Sequence, residues 1–219
     1  MISTFQPVIN LFQEIDVLLE DKINLYTIGG LVLLHKKLKP ATKDIDLVVS
    51  KKQYFLALEK ALKQLKFQQK KSTKEYVHLN ISQIFIRDDF RIDLFFRTVC
   101  GEFSLSSGMM NRAEQILKLN KLNVFFCSPE DIFLFKCMTE REGDLDDCLA
   151  LAKLGLDWSI ILTELKNQMY HSGNKIWVTW VGERLDLLQE RGLSIPIMNE
   201  IDSLRVEYFE DFEKRINQN

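Results

Sequence analysis

Two carboxylates, Asp44 and Asp46, stand either side of Ile45 in the otherwise apolar run "DIDLVVS", and thirteen residues separate Asp44 from the pair Gly29-Gly30. In a strand, alternate side chains share a face, so the two carboxylates point the same way, about 7 Å apart. That spacing lets them hold divalent cations between them. An ionised carboxylate among apolar neighbours is costly unless something compensates it. The run "FRIDLFF" supplies a third acid, Asp93, alone among Ile92, Leu94, Phe95 and Phe96. Three oxygen ligands converging from two strands suit Mg²⁺ or Mn²⁺, bound together with substrate phosphates. Two such ions about 4 Å apart activate an attacking oxygen and neutralise a leaving pyrophosphate. Gly29 and Gly30, at a strand end and before a helix, let backbone N–H groups approach those phosphates. The ligand implied is a nucleoside triphosphate.

A structural reading competes at each position. Asp44 and Asp46 could cap a strand end and pair with a lysine such as Lys43, and Asp93 has Arg91 nearby as an ion-pair partner and Asp88 and Asp89 as rival acids.

The elements that must position these residues follow from periodicity. Phe5, Val8, Ile9, Phe12, Ile15, Leu18 and Leu19 recur at steps of three and four, which predicts an opening amphipathic helix. "INLYTI" reads as a strand, Gly29-Gly30 as a turn, and "LVLLHKKL" as a helix ending near Pro40. "DIDLVVS" is a second strand, followed by a helix over 52–66 with Leu56, Leu58, Leu62 and Leu65 as its buried stripe. "FQQKKSTKEYVHLNI", "QIFIRDD" and "FRIDLFFRTV" are further strands, and "EQILKL" and "LNVFFCS" form a hairpin through Asn120-Lys121. From Ser128 onward the pattern is helical over 129–141, 144–154, 158–170, 174–191 and 196–215. The expected class is therefore α/β (α+β): a mixed sheet flanked by helices over 1–127, then an all-helical part over 128–219.

Composition narrows the setting. With 219 residues and 46% hydrophobic content the chain can bury a sizeable core. It has no apolar run near the roughly 20 residues that span a bilayer, and its N-terminus carries acids where a signal peptide carries a basic region, so no membrane partner and a cytoplasmic location are expected. Cys100, Cys127, Cys137 and Cys148 form no C-x-x-C pair and read as reduced, buried thiols; His35, His78 and His171 are equally scattered. Residues 35–75 hold twelve lysines against four acids, a balance of +8 read mainly as a solvated helix face. Trp158, Trp177 and Trp180 sit in helical periodicity and read as core.

The first motif resembles the nucleotidyltransferase superfamily with the DNA polymerase beta-like fold. "KPATKDIDLVV" is similar to the Arg-x-x-Thr-x-Asp-hydrophobic-Asp version found in prokaryotic members, with Thr42 matching and Lys39 standing where that version usually carries Arg. A second block, "SPEDIFLFKCMTEREGDLDDCLALAK", is similar to helices of the abortive-infection-type toxin nucleotidyltransferases and their prokaryotic relatives. The resemblance implies Lys136 as a contact to the triphosphate and Asp144 or Asp147 as a polar partner near the site. On the residues alone, Lys136 could simply snorkel out of an apolar helix, and the acids near Arg141 form a solvated junction with internal salt bridges.

The reading that unites these features is a metal-dependent transfer of a nucleoside monophosphate from an NTP to a hydroxyl of a protein, an RNA or a small molecule. Asp44, Asp46 and Asp93 hold the metal, and Gly29, Gly30 and Thr42 contact the phosphates. The alternative is an inactive nucleotide-, RNA- or partner-binding module of the same fold. A cognate antitoxin is implied by the resemblance alone.

Overall fold

The computed structural model describes residues 1–70, 83–101 and 103–217. The expected strand content and His78 within 71–82 lie outside the described residues. The described chain divides into two compact units, Met1–Ser128 and Pro129–Asn219.

The first unit opens with α1 (Gln6–Leu18), β1 (Ile23–Ile28), α2 (Gly30–His35), β2 (Ile45–Val49) and α3 (Lys52–Gln64). Next come β3 (Gln68–Lys70), β4 (Gln83–Arg87), β5 (Phe90–Phe96), β6 (Thr98–Cys100), β7 (Phe103–Ser104), α4 (Ser107–Arg112), β8 (Glu114–Lys118) and β9 (Leu122–Phe126). Among the described residues the main sheet has the order β3-β4-β5-β2-β1-β9-β8, with β6 and β7 as a separate ribbon. β2 runs parallel to β5 and antiparallel to β1, while β1 runs parallel to β9.

One face of this sheet is a sealed core. Leu25, Ile45, Leu47 and Val49 are fully buried on it, and Val8, Phe12 and Ile15 of α1 are buried as the helical periodicity demands. Phe126 meets Phe5 and His35 edge-on there, and Phe96 meets Phe55 of α3. α1 also carries a buried acid that serves the fold. Asp16 Oδ1 accepts hydrogen bonds from the backbone N–H groups of Lys121 and Leu122, each at 2.7 Å, and so pins the β8–β9 turn. The opposite face carries Asp46 and Asp93.

Four local expectations need correction. α2 stops at His35 instead of running toward Pro40, because Lys37 takes a positive φ of 59° and Leu38 N–H closes back on Leu33 O at 2.9 Å, which ends the helix early. Asp44, the first residue of the expected strand, lies just before the observed β2. Arg97, with φ 61°, breaks "FRIDLFFRTV" into β5 and β6. In α3 the buried stripe is Phe55, Leu58, Ala61 and Leu62, and Leu56 is exposed. α4 had no apolar periodicity to announce it; Ser106 caps it by accepting from Met109 N–H at 3.0 Å.

The second unit is helical: α5 (Pro129–Cys137), α6 (Glu142–Ala152), α7 (Trp158–Ser172), α8 (Trp177–Glu190) and α9 (Met198–Ile216). Asp157 caps α7 by accepting from Ser159 N–H at 2.9 Å, and Gly173 ends it at φ 70°. Trp177 is core as expected, but Trp180 is exposed and Trp158 half-buried. All four cysteines are buried, and none forms a disulfide. No described helix is long and apolar enough to cross a membrane.

Candidate active site

The site begins with the glycine pair at the end of β1. Gly29 has φ 70° and ψ −149°, a conformation essentially reserved for glycine. Its Cα faces the Asp46 carboxylate so closely that a Cβ there would overlap Asp46 Oδ2. A Cβ on Gly30 would overlap Thr42 Oγ1 in the same way. The glycines therefore make room for the side chains of the Thr42–Asp46 segment, besides leaving their own backbone open.

Thr42 is turned inward, 4% exposed. Its hydroxyl donates to Asp44 O at 3.2 Å, and its backbone pairs with Ile2 in both directions at 2.8 and 2.9 Å. It acts as a spacer that presents Asp44. Asp44 and Asp46 are half-buried, and Lys43 just before them points to solvent.

The third acid arrives by register. In the parallel pairing of β2 with β5, Asp46 lies opposite Asp93, so the two Cα atoms sit on neighbouring strands about 4.8 Å apart. Asp93 is 3% exposed. Its carboxylate receives a fork from the residue two positions earlier on the same strand face: Arg91 Nε donates to Oδ1 and Arg91 Nη2 to Oδ2, both at 2.8 Å. From the sequence, Arg91 stands only as a rival explanation of Asp93. The Arg-x-Asp spacing in a strand is the signal that joins them.

For a hard divalent ion the donor types fit: carboxylates on one face, two of them in register, with a glycine giving Asp46 its place. Their present orientation does not assemble a complete cage, since both oxygens of Asp93 lie on the guanidinium. Among the described residues no group of three or more His, Cys, Asp or Glu side chains converges for a metal.

In the second unit, Lys136 does not snorkel to water. It is 7% exposed, and its ammonium meets Asp144 Oδ1 at 2.6 Å and Asp147 Oδ2 at 2.7 Å. Thr139 Oγ1 and Arg141 Nε both donate to Asp144 Oδ2, the latter at 2.8 Å. Burial pulls the Lys136 pKa down, and Asp144 and Asp147 more than reverse this, leaving it above its ordinary value. For Asp144, burial acts upward, but Lys136, Thr139 and Arg141 outweigh it and hold the carboxyl below the usual range. Asp144 and Asp147 are thus buried rather than solvated. Thr139 is a member of this cluster that sequence reasoning missed; its spacing of three from Lys136 on a helical turn was the available cue.

A family model described as "Nucleotidyltransferase of unknown function (DUF6036)" matches residues 6–181. No curated protein matches the chain in sequence. Among solved structures, a crystal structure of ANT(2″)-Ia in complex with adenylyl-2″-tobramycin is similar in fold, with TM-score 0.50 at 10% identity over 76% of this chain and 99% of the other. A solution structure of the antibiotic-resistance factor ANT(2″)-Ia gives TM-score 0.51, also at 10% identity, over 78% of this chain and 96% of the other.

Proposed function

We propose, from the premise that this chain belongs to the nucleotidyltransferase family of unknown function, that it transfers a nucleoside monophosphate from a nucleoside triphosphate to a hydroxyl group. The observation that carries the reading is the register of Asp46 opposite Asp93, beside a glycine whose missing Cβ leaves the Asp46 carboxylate its place. Asp44, Asp46 and Asp93 would hold Mg²⁺ or Mn²⁺. When bound, the ion neutralises phosphate charge and lowers the barrier for an oxygen nucleophile to attack phosphorus.

The chain's own residues have separate roles. Gly29 and Gly30 offer backbone N–H groups to the triphosphate at the end of β1. Thr42 supports Asp44 from behind through its hydroxyl. Arg91 holds the Asp93 carboxylate in one orientation on the face that would take the metal. Lys136, Asp144 and Asp147 act as an internal brace of the second unit rather than as nucleotide contacts, because each ammonium–carboxylate contact is already made inside that unit. The first unit serves as the nucleotidyltransferase domain and the second as a helical companion. The acceptor is a hydroxyl on a protein, an RNA or a small molecule, and an antitoxin is a candidate partner on resemblance alone. Four buried thiols, none in a disulfide, suit a reducing compartment, in keeping with a cytoplasmic enzyme.

The Arg91–Asp93 fork favours one second reading, a module that holds nucleotide without transferring it. One experiment addresses both. Thermal unfolding of the wild type and of the Asp44→Asn/Asp46→Asn variant is followed with each of the four NTPs, with and without Mg²⁺. A ligand at a hundred times its dissociation constant adds about 2.7 kcal/mol. Mg²⁺-dependent stabilisation of the wild type alone, together with label transfer from an α-labelled NTP into a cell-extract acceptor, supports the enzyme. Stabilisation without transfer supports the binding module. If no NTP stabilises the wild type, the site reading fails.

A further inference from the structure

On the sheet face that carries Asp46 and Asp93, the strands beyond Asp46 continue into a row of uncharged side chains. Ile28 is the partner of Asp46, and Tyr26 and Asn24 share its face at alternate positions of β1. Across the parallel ladder Asn24 lies opposite Asn123 and Tyr26 opposite Phe125, and across the next ladder Gln115 lies opposite Phe125. Register therefore gathers three amides and two aromatic rings on one patch.

These side chains are already organised. Asn123 Nδ2 donates to Asn24 Oδ1 at 3.0 Å, and Gln115 Nε2 donates to Asn123 Oδ1 at 3.3 Å. The Tyr26 and Phe125 rings stack with centroids 5.2 Å apart and planes 22° from parallel. Tyr26 is buried, Phe125 and Asn123 are half-buried, and Asn24 and Gln115 are exposed. These hydrogen bonds engage only part of what three amides offer, since each has two N–H donors and a carbonyl oxygen. The row is uncharged as far as Lys118, opposite Asn123 at its rim.

Distance along β1 links the row to the phosphate end. Asn24 lies five positions before Gly29, about 16 Å at roughly 3.3 Å per strand residue. That matches the reach of a nucleoside triphosphate laid out from phosphates to base. Side-chain amides suit adenine, whose neighbouring acceptor and amino group they can engage bidentately, and an aromatic face suits any base.

Resting on the triphosphate reading above, we propose that Asn24, Asn123 and Gln115, with the Tyr26–Phe125 pair, form a base-reading subsite that selects an adenine nucleotide. The charged end of the face takes the phosphates, and the uncharged row takes the ring.

The test measures dissociation constants with Mg²⁺ for ATP, GTP, CTP, UTP and inorganic triphosphate, on the wild type, Asn123→Ala and the exposed-site variant Asn24→Ala. The wild type should bind ATP about tenfold or more tighter than the other NTPs and than triphosphate. Either variant should lose most of that preference while binding triphosphate as before; matching far-UV spectra and melting curves show that the variants fold. Unchanged ATP preference in both variants overturns the subsite, as does a wild type that binds triphosphate as tightly as ATP. In both cases triphosphate binding still stands, so the phosphate end survives. Binding of neither triphosphate nor any NTP overturns the subsite together with the site reading it rests on.

Discussion

The two units use the same chemical groups in opposite ways. In the first, Asp44 and Asp46 are half-buried at the end of a strand, where water reaches them. In the second, Asp144 and Asp147 are buried and close on the Lys136 ammonium. A carboxylate neutralised inside the protein contributes to holding the fold and is poorly placed to take a new ligand. One left at the surface contributes little to stability and keeps its capacity for a cation. Asp93 is intermediate: buried like the second group, on the sheet face of the first, and paired with Arg91.

The largest effect expected from breaking this contrast is at Lys136. Lys136→Met leaves two buried carboxylates without their ammonium, and removing one partner of a buried ion pair costs about 3–5 kcal/mol. Urea unfolding followed by tryptophan fluorescence should show that loss, or a second unit that no longer folds; a change under about 1 kcal/mol would mean that the cluster does not brace the helices.

Gly29→Ala should come next. It forces a side chain into a backbone conformation that costs about 1–3 kcal/mol and pushes on the Asp46 carboxylate. Loss of stability together with loss of Mg²⁺-dependent nucleotide binding is the expected pair of results. Full binding in a merely destabilised variant would separate Gly29 from the site.

A smaller effect is expected at Arg91. Arg91→Lys retains the charge but cannot make the fork, so about 1 kcal/mol should be lost. Its diagnostic readout is Mg²⁺-dependent nucleotide binding, which should weaken; unchanged binding would mean that the Arg91 fork does not orient Asp93 for the site.

Asp44→Asn should be smallest for stability, within about 0.5 kcal/mol as for other surface changes, while nucleotide binding with Mg²⁺ falls. A large stability loss there would erase the distinction between the two regions.

Acidity sharpens the comparison further. The folded pKa of Asp144 is lowered, so its contribution is present above the ordinary value of 3.8 and is lost as pH falls through the lowered one. The folded pKa of Lys136 is raised, so its contribution is present below 10.5 and is lost as pH rises through the raised value. The contribution of the cluster should therefore stay constant between about pH 5 and 9. Comparing the pH dependence of stability in wild type and Asp144→Asn tests this: on acidification, the difference between them should shrink only below the ordinary Asp range.

Much of the molecule was legible from local pattern. β1, β2, the β8–β9 hairpin and the five helices of the second unit followed from period-2 and period-3.6 signals, and the glycine pair and the Asp-x-Asp motif marked one end of the sheet. The errors fell where local signals are weak. Lys37 and Arg97 end their elements by adopting positive φ, which no propensity announces for a long basic side chain. Periodicity places Leu56 and Trp180 in the core, but both are exposed: a periodic stripe gives only the average direction of a face, and which neighbour covers its margin is a tertiary matter.

By itself the sequence determined which residues could bind a cation and phosphates, because residue type and two-residue spacing dictate a shared strand face before any folding is considered. It also determined the order of sheet and helices. Only the tertiary structure decided that Asp93 lies opposite Asp46 and that Lys136 is occupied by Asp144 and Asp147. Strand register and helix packing join residues far apart in the chain, or facing across a turn, and their partners are chosen by the burial of the whole apolar surface rather than by any local pattern.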